Sequence, residues 1–209
     1  MKKVLLSLKG IKMKDIVVIC PIENIYTNAK KAVQAYRYDN VEILYGNMSH
    51  GVKVAVEAVA SGAKIIVSRG GTYHLIKGVC TVPVVEIKVD AYDIIESYEK
   101  LDHDVNEIGV VGYNNVIYGF DILKRLIPKK IHTIELKQEK GVYEIISYYA
   151  KKGVYDYIGD ANIIPIIQQL GCNGVVIQSR EETILTAIQE ARRILSATKD
   201  EKERTQWLI

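Results

Sequence analysis

Short, almost wholly apolar runs alternate along this chain with stretches whose apolar residues recur at helical spacing. The run at 15–20 (D-I-V-V-I-C) is bounded by Pro21, and similar runs follow at 41–45, 64–68 and 84–87. Between them the spacing predicts helices over 25–36, 49–61 and 72–77, with Ser49 as the cap of the second. Strands this apolar, separated by helices, predict a parallel sheet covered on both faces.

The alternation then restarts. Helices are predicted over 91–101, 118–126, 141–151 and 163–170, and strands over 107–111, 131–136, 155–158 and 174–178. The first three strands of each half recur at about the same separations, which implies two similar βαβαβ halves. The expected fold class is α/β, with two similar Rossmann-like parallel-sheet lobes of periplasmic-binding-protein-like type. An interlobe cleft and a C-terminal connector helix complete it. The expected division is an N-terminal extension (1–14), lobe 1 (15–90), lobe 2 (91–178) and a linker (199–209). The helix over 179–198 packs back on lobe 1, and the segment 86–92 is the expected hinge.

Ser179-Arg180-Glu181-Glu182 reads as a capping box that opens this last helix. Ile184, Ile188, Ala191, Leu195 and Thr198 follow with steps of four and three, the spacing of a heptad seam. Such a stripe packs against the first lobe, or it reaches an adjoining domain or a second copy; both readings stand at this level.

Composition narrows the function. With 209 residues, 48% hydrophobic and 25% charged, the chain has ample core for one large or two small domains. A net charge of +3 with scattered lysines predicts no direct contact with nucleic acid. Cys20, Cys80 and Cys172 fit neither a disulfide framework nor a zinc site, so reduced thiols, no metal, no cofactor and a cytoplasmic setting are expected. The opening eight residues resemble a signal start, but charge returns at Lys9. No segment is apolar enough to cross a bilayer, so no membrane partner is expected.

The strongest candidate for chemistry is Ser68-Arg69-Gly70-Gly71-Thr72, between an apolar strand and a helix. Ligands of open α/β sheets bind outside the carboxyl ends of strands. Paired glycines let backbone approach a ligand, a helix N-terminus favours an anion, and Arg69 can grip a carboxylate or phosphate. A tight turn with a surface arginine is the plainer reading of the same residues. Gly112-Tyr113-Asn114-Asn115, with Tyr118 beyond, follows the first strand of the second half and suits a polar metabolite. Gly159-Asp160 and Gln178-Ser179 end two further strands on the same expected edge.

No catalytic constellation is evident. The four histidines show no partner spacing, although His74 lies beside the glycine pair, and Asp93, Asp121 and Asp160 form no paired-carboxylate motif. The alternative to a binding domain is an isomerase or racemase on the same frame, using Cys20 and Cys172. Cys172, however, precedes its strand.

Four ordered blocks carry a resemblance: 65–72 (I-I-V-S-R-G-G-T), 82–87 (V-P-V-V-E-I), 91–94 (A-Y-D-I) and 108–119 (I-G-V-V-G-Y-N-N-V-I-Y-G). With the Ser179–Glu182 opening of the last helix, they resemble the N-terminal sensing domain of the propionate-catabolism regulators, sigma-54-dependent transcription activators. The resemblance spans about 15–195. It implies a two-lobed receptor for a small anionic effector, in the best-known members a methylcitrate-type tricarboxylate. It carries over Ser68, Arg69, Gly70, Gly71, Thr72, Tyr92, Asn114 and Tyr118 as effector-facing. Gly112, Asp160 and Ser179 join them from the strand-end reading, with His74 or Arg180 as further cations. It also implies downstream ATPase and DNA-binding modules, and a homodimer is expected.

Overall fold

The computed structural model describes residues 13–101, 105–137 and 141–206. The expected extension is thus described only from Met13 onward, and the last three residues lie outside the described part. The described residues divide into two compact units, one built from those up to Ile87 and from Arg180 on, the other from those between Lys88 and Ser179.

Unit 1 contains β1 (Ile16–Cys20), α1 (Glu23–Ala35), β2 (Val41–Tyr45), α2 (Met48–Ala60), β3 (Ile65–Ser68), α3 (Gly70–Lys77), β4 (Val84–Glu86) and α8 (Glu181–Gln206). Unit 2 contains α4 (Ala91–Glu99), β5 (Glu107–Gly112), α5 (Asn114–Leu123), β6 (Lys130–Glu135), α6 (Val142–Ala150), β7 (Asp156–Gly159), α7 (Ile164–Gln169) and β8 (Asn173–Val176).

Each unit holds one four-stranded sheet with parallel pairing throughout, ordered β2-β1-β3-β4 in the first and β6-β5-β7-β8 in the second. The two orders are the same, as the echo in the sequence predicts. The central strands are the most apolar. Every residue of β1 and β3 is buried, because helices cover both faces.

In unit 1, α1 and α8 cover one face through Ile25, Ala29, Ile184, Ile188 and Ala191. The other face is closed by α2 and α3, with Ala55, Ala58 and Ile76 against Val17, Ile19 and Ile66. In unit 2, α4 and α5 cover one face through Ile94, Val116 and Phe120. On the opposite face, α6 and α7 bring Val142, Ile146, Ile164 and Ile167.

The heptad stripe of α8 is therefore used up inside unit 1: Ile184, Ile188, Ala191 and Leu195 are all buried. Thr198, the fifth member, is exposed and donates to the Ile194 carbonyl. The helix also runs on to Gln206, through the stretch expected as linker. Residues 199–206 are mostly strong helix formers, and they prolong the helix without needing a core.

Other boundaries shift for local reasons. Asn47, not Ser49, is the cap residue of α2. The glycine pair belongs to the first turn of α3 rather than to a loop before it. Gly70 has φ +56 and Met48 has φ +46, so each helix opens on a left-handed residue directly after its extended cap. At Gly70 that geometry selects glycine; Met48 adopts it at some steric cost.

Candidate functional site

In sheets of this order the direction of chain progression reverses between the first and third strands, and a crevice opens outside their carboxyl ends. In unit 1 that point is flanked by Cys20, the last residue of β1, and Arg69, directly after β3. In unit 2 it is flanked by Gly112, the last residue of β5, and Asp160, directly after β7. Arg69 and Asp160 thus hold the same topological position in the two units, with opposite charges.

The unit 1 rim is built tightly. The Ser68 hydroxyl donates to the Ile19 carbonyl at 2.9 Å, joining the ends of β3 and β1. Arg69 is the extended cap residue of α3 and is only 4% exposed. Its backbone thus stands at the positive end of a helix, a position that favours an anion. The Thr72 hydroxyl accepts the Met48 N–H at 2.9 Å and donates to the Asn47 side-chain oxygen at 3.3 Å. It ties the start of α2 to the first turn of α3. Space there is minimal: a Cβ on Gly51 would lie 2.6 Å from the Thr72 methyl, and one on Gly46 2.7 Å from the Gly51 Cα.

Of the five residues from Ser68 to Thr72, two hydroxyls thus hold the rim together. Arg69 and the amides of the α3 first turn are the groups suited to an anion. The Asn47–Met48 turn completes this rim and was missed from the sequence. Its glycines carry no motif, and its partnership with Thr72 spans 24 residues. His74 lies on the exposed side of α3, with its ring edge-on to Tyr73 at 5.1 Å. Tyr45, at the end of β2, donates to the Glu23 carboxylate and stacks on Tyr26 at 4.0 Å.

The unit 2 rim places Gly112 beneath α5. A Cβ there would stand 2.8 Å from the Val116 Cβ, so this glycine serves close packing, and its carbonyl accepts the Leu136 N–H. Asn114 opens α5; its side chain lies outside the described part. Asp160 is buried, and its carbonyl accepts the N–H groups of Ile163 and Ile164 at the start of α7. Tyr92 and Tyr118, expected to face an effector, are 66% and 67% exposed. Ser179 is fully buried, and α8 begins two residues later at Glu181.

The acid–base candidates have structural employment. Asp93 and Asp90 form a reciprocal capping box on α4, with Asp90 Oδ1 accepting the Asp93 N–H at 2.8 Å. Asp121 pairs with Lys124 at 2.8 Å on the surface of α5. Cys20 ends β1 at the carboxyl edge of its sheet, whereas Cys172 precedes β8 at the amino edge of its own. Burial pushes both thiols up, strongly for Cys20, away from the thiolate that a racemase needs. Among the described residues no cluster of three or more His, Cys, Asp or Glu is placed to hold a metal ion. Among them, too, no helix is long and apolar enough to cross a membrane.

A solved NtrC family transcriptional regulator from Clostridium acetobutylicum shares this fold, with a TM-score of 0.77 and 21% identity. The match covers 90% of this chain and 100% of that one. Two solved structures are more distant. Transcription regulator CcpA of Lactococcus lactis shows 9% identity over 88% of this chain and 92% of its own, with a TM-score of 0.47. GanP, a glucose-galactose binding protein from Geobacillus stearothermophilus, shows 14% identity over 89% and 92%, with a TM-score of 0.45. No curated protein matches the chain. The family model described as propionate catabolism activator (PrpR_N) matches residues 35–201, most of both units and the greater part of α8. The chain belongs to the propionate catabolism activator family and is a regulatory sensing domain of it.

Proposed function

We propose that this domain senses a small carboxylate metabolite at the strand-end rims of its sheets. Ligand binding would be relayed through α8. The observation that carries the reading is Arg69, a buried guanidinium at the cap of α3, standing at the switch point of its sheet. Asp160 at the equivalent point of unit 2 offers a hydrogen-bond acceptor for a hydroxyl or a protonated oxygen of a ligand. The effector set is then Arg69, the amides of Gly70 and Gly71, and the polar groups of Tyr92, Asn114, Tyr118, Asp160 and Ser179.

The two chain crossings lie at Ile87/Lys88 and Ser179/Arg180, and the second leads straight into α8. A ligand that prefers one conformation of this crossing would therefore act on the base of this helix. Regulatory output, through a downstream ATPase that engages sigma-54 polymerase and a DNA-binding module, would belong to further parts of a cytoplasmic regulator.

Calorimetry against a panel of di- and tricarboxylates tests it. Binding is expected for at least one of them, and Arg69→Ala is expected to weaken it by about 1.5–3 kcal/mol, the loss of a charge-assisted hydrogen bond. Unchanged affinity in that variant would remove Arg69 from the site.

A further inference from the structure

The outward side of α6 has the composition of an interface rather than of a solvated helix. Tyr143 and Tyr148 on the helix are each more than half exposed, and Ile145 is 37% exposed; Tyr155, directly before β7, is more than half exposed as well. Exposed tyrosines in such density are typical of the centre of protein–protein contacts. Inward, Val142 and Ile146 bind the helix to the unit 2 core, and the exposed residues lie outside that core. The aromatic surface is continuous: Tyr148 meets Tyr149 edge-on at 5.4 Å, and Tyr149 meets His132 of β6 at 5.4 Å.

The charges around this stripe show what fits it. Glu144 stands in the first turn of α6, while Lys151 and Lys152 follow its last turn. Lys152 Nζ lies 4.3 Å from the centre of the Tyr148 ring. Glu144, Tyr148 and Lys151 share one face of the helix, and Ile145, Tyr148 and Lys152 lie beside them. Negative and positive ends are about 11 Å apart, with Tyr148 between them. This pattern is complementary to itself when one copy of the helix is turned end for end.

We propose that α6 is a self-association surface, packing antiparallel on α6 of a second copy across a two-fold axis near Tyr148. Glu144 of each copy then faces Lys151 and Lys152 of the other, and Ile145 and Tyr148 interleave between the charged ends. A two-fold contact repeats each interaction twice, so a short helix can supply a specific if modest association. This inference is independent of the effector reading and holds with or without ligand.

Sedimentation velocity on the full chain, from about 5 to 300 μM, tests it. Wild-type protein is expected to pass from monomer to dimer in that range. Glu144→Lys, and separately the pair Lys151→Glu with Lys152→Glu, should each weaken the dimer at least about tenfold, since like charges then meet. Combining all three substitutions should restore it. Tyr148→Asp should give monomer at every concentration, with an unchanged circular dichroism spectrum because the residue is outside the core. A monomer at all concentrations, or a dimer indifferent to both charge reversals, would overturn the proposal. So would a triple variant no better than its parents, because complementarity would then play no part.

Discussion

Gly109 on β5 and Tyr157 on β7 are register partners, and the missing side chain of one makes room for the ring of the other. A Cβ on Gly109 would fall 2.2 Å from Tyr157 Cδ1. The ring is fully buried, and its hydroxyl donates to the Val154 carbonyl at 2.8 Å. The ring cannot slide outward without giving up this bond. Gly109→Ala is therefore expected to destabilise the protein by about 2–3 kcal/mol, at the costly end of overpacking. Tyr157→Phe should cost about 1 kcal/mol, the hydroxyl bond alone. Urea unfolding of both variants checks the order of the two effects.

Thr72 separates a structural from a ligand role at the unit 1 rim. Its hydroxyl accepts the Met48 N–H, so Thr72→Val leaves that amide without its acceptor. A loss of about 1–2 kcal/mol is expected, and Thr72→Ser should recover most of it. Thermal unfolding without any ligand is the measurement. A Val variant as stable as wild type would show that the joint between α2 and α3 does not depend on this bond.

The last helix belongs to the core of unit 1. Ile188 is fully buried among β-strand residues, so Ile188→Ala is expected to cost about 2–4 kcal/mol in transfer and cavity terms. A chain ending at Ser179 should lose the folded state of unit 1, because Ile184, Ala187, Ile188, Ala191 and Leu195 would all be missing. Hydrogen exchange on the truncated chain would reveal it as unprotected amides in β1 and β3. A heptad helix that merely tethered a partner would leave them protected.

Acid sensitivity has identified sources. Glu107 is held below the usual carboxylate range, first by its hydrogen bond to His132 at 2.7 Å and then by Lys130. Asp15 is lowered by its hydrogen bond to Lys64, with Lys199 adding a weaker pull. A carboxylate whose folded value is depressed contributes stability that is complete above its unfolded value, about 4. That contribution fades as pH falls through the folded value. Glu107→Gln and Asp15→Asn are expected to lower the unfolding midpoint at about pH 7 and to match wild type at about pH 2. Both residues are partly exposed, so the effects are small and shrink with added salt. A difference that persisted at acid pH would exclude ion pairing as its origin.

Much of this molecule could be read from the order of its residues. The runs I-V-V-I-C and I-I-V-S have no polar face, and a strand without one must be covered on both sides. The repetition of strand spacing announced two like units, and the position of Ser68–Thr72 after an apolar strand located the rim. What was misread was local. The glycines looked like a loop because glycine in a helix is costly, yet Gly70 takes the left-handed angle with which α3 begins.

The periodicity of apolar residues by itself determined the fold class, since hydrophobic burial acts on composition along each segment and needs no knowledge of neighbours. Tertiary structure decided which groups at the rim are occupied. The hydroxyls of Ser68 and Thr72 were turned inward by Ile19 and Met48, partners 49 and 24 residues away. It also gave the stripe of α8 to unit 1, although the same spacing would serve a coiled coil. An amphipathic helix records that it buries one face, and only the surface it meets in space records against what.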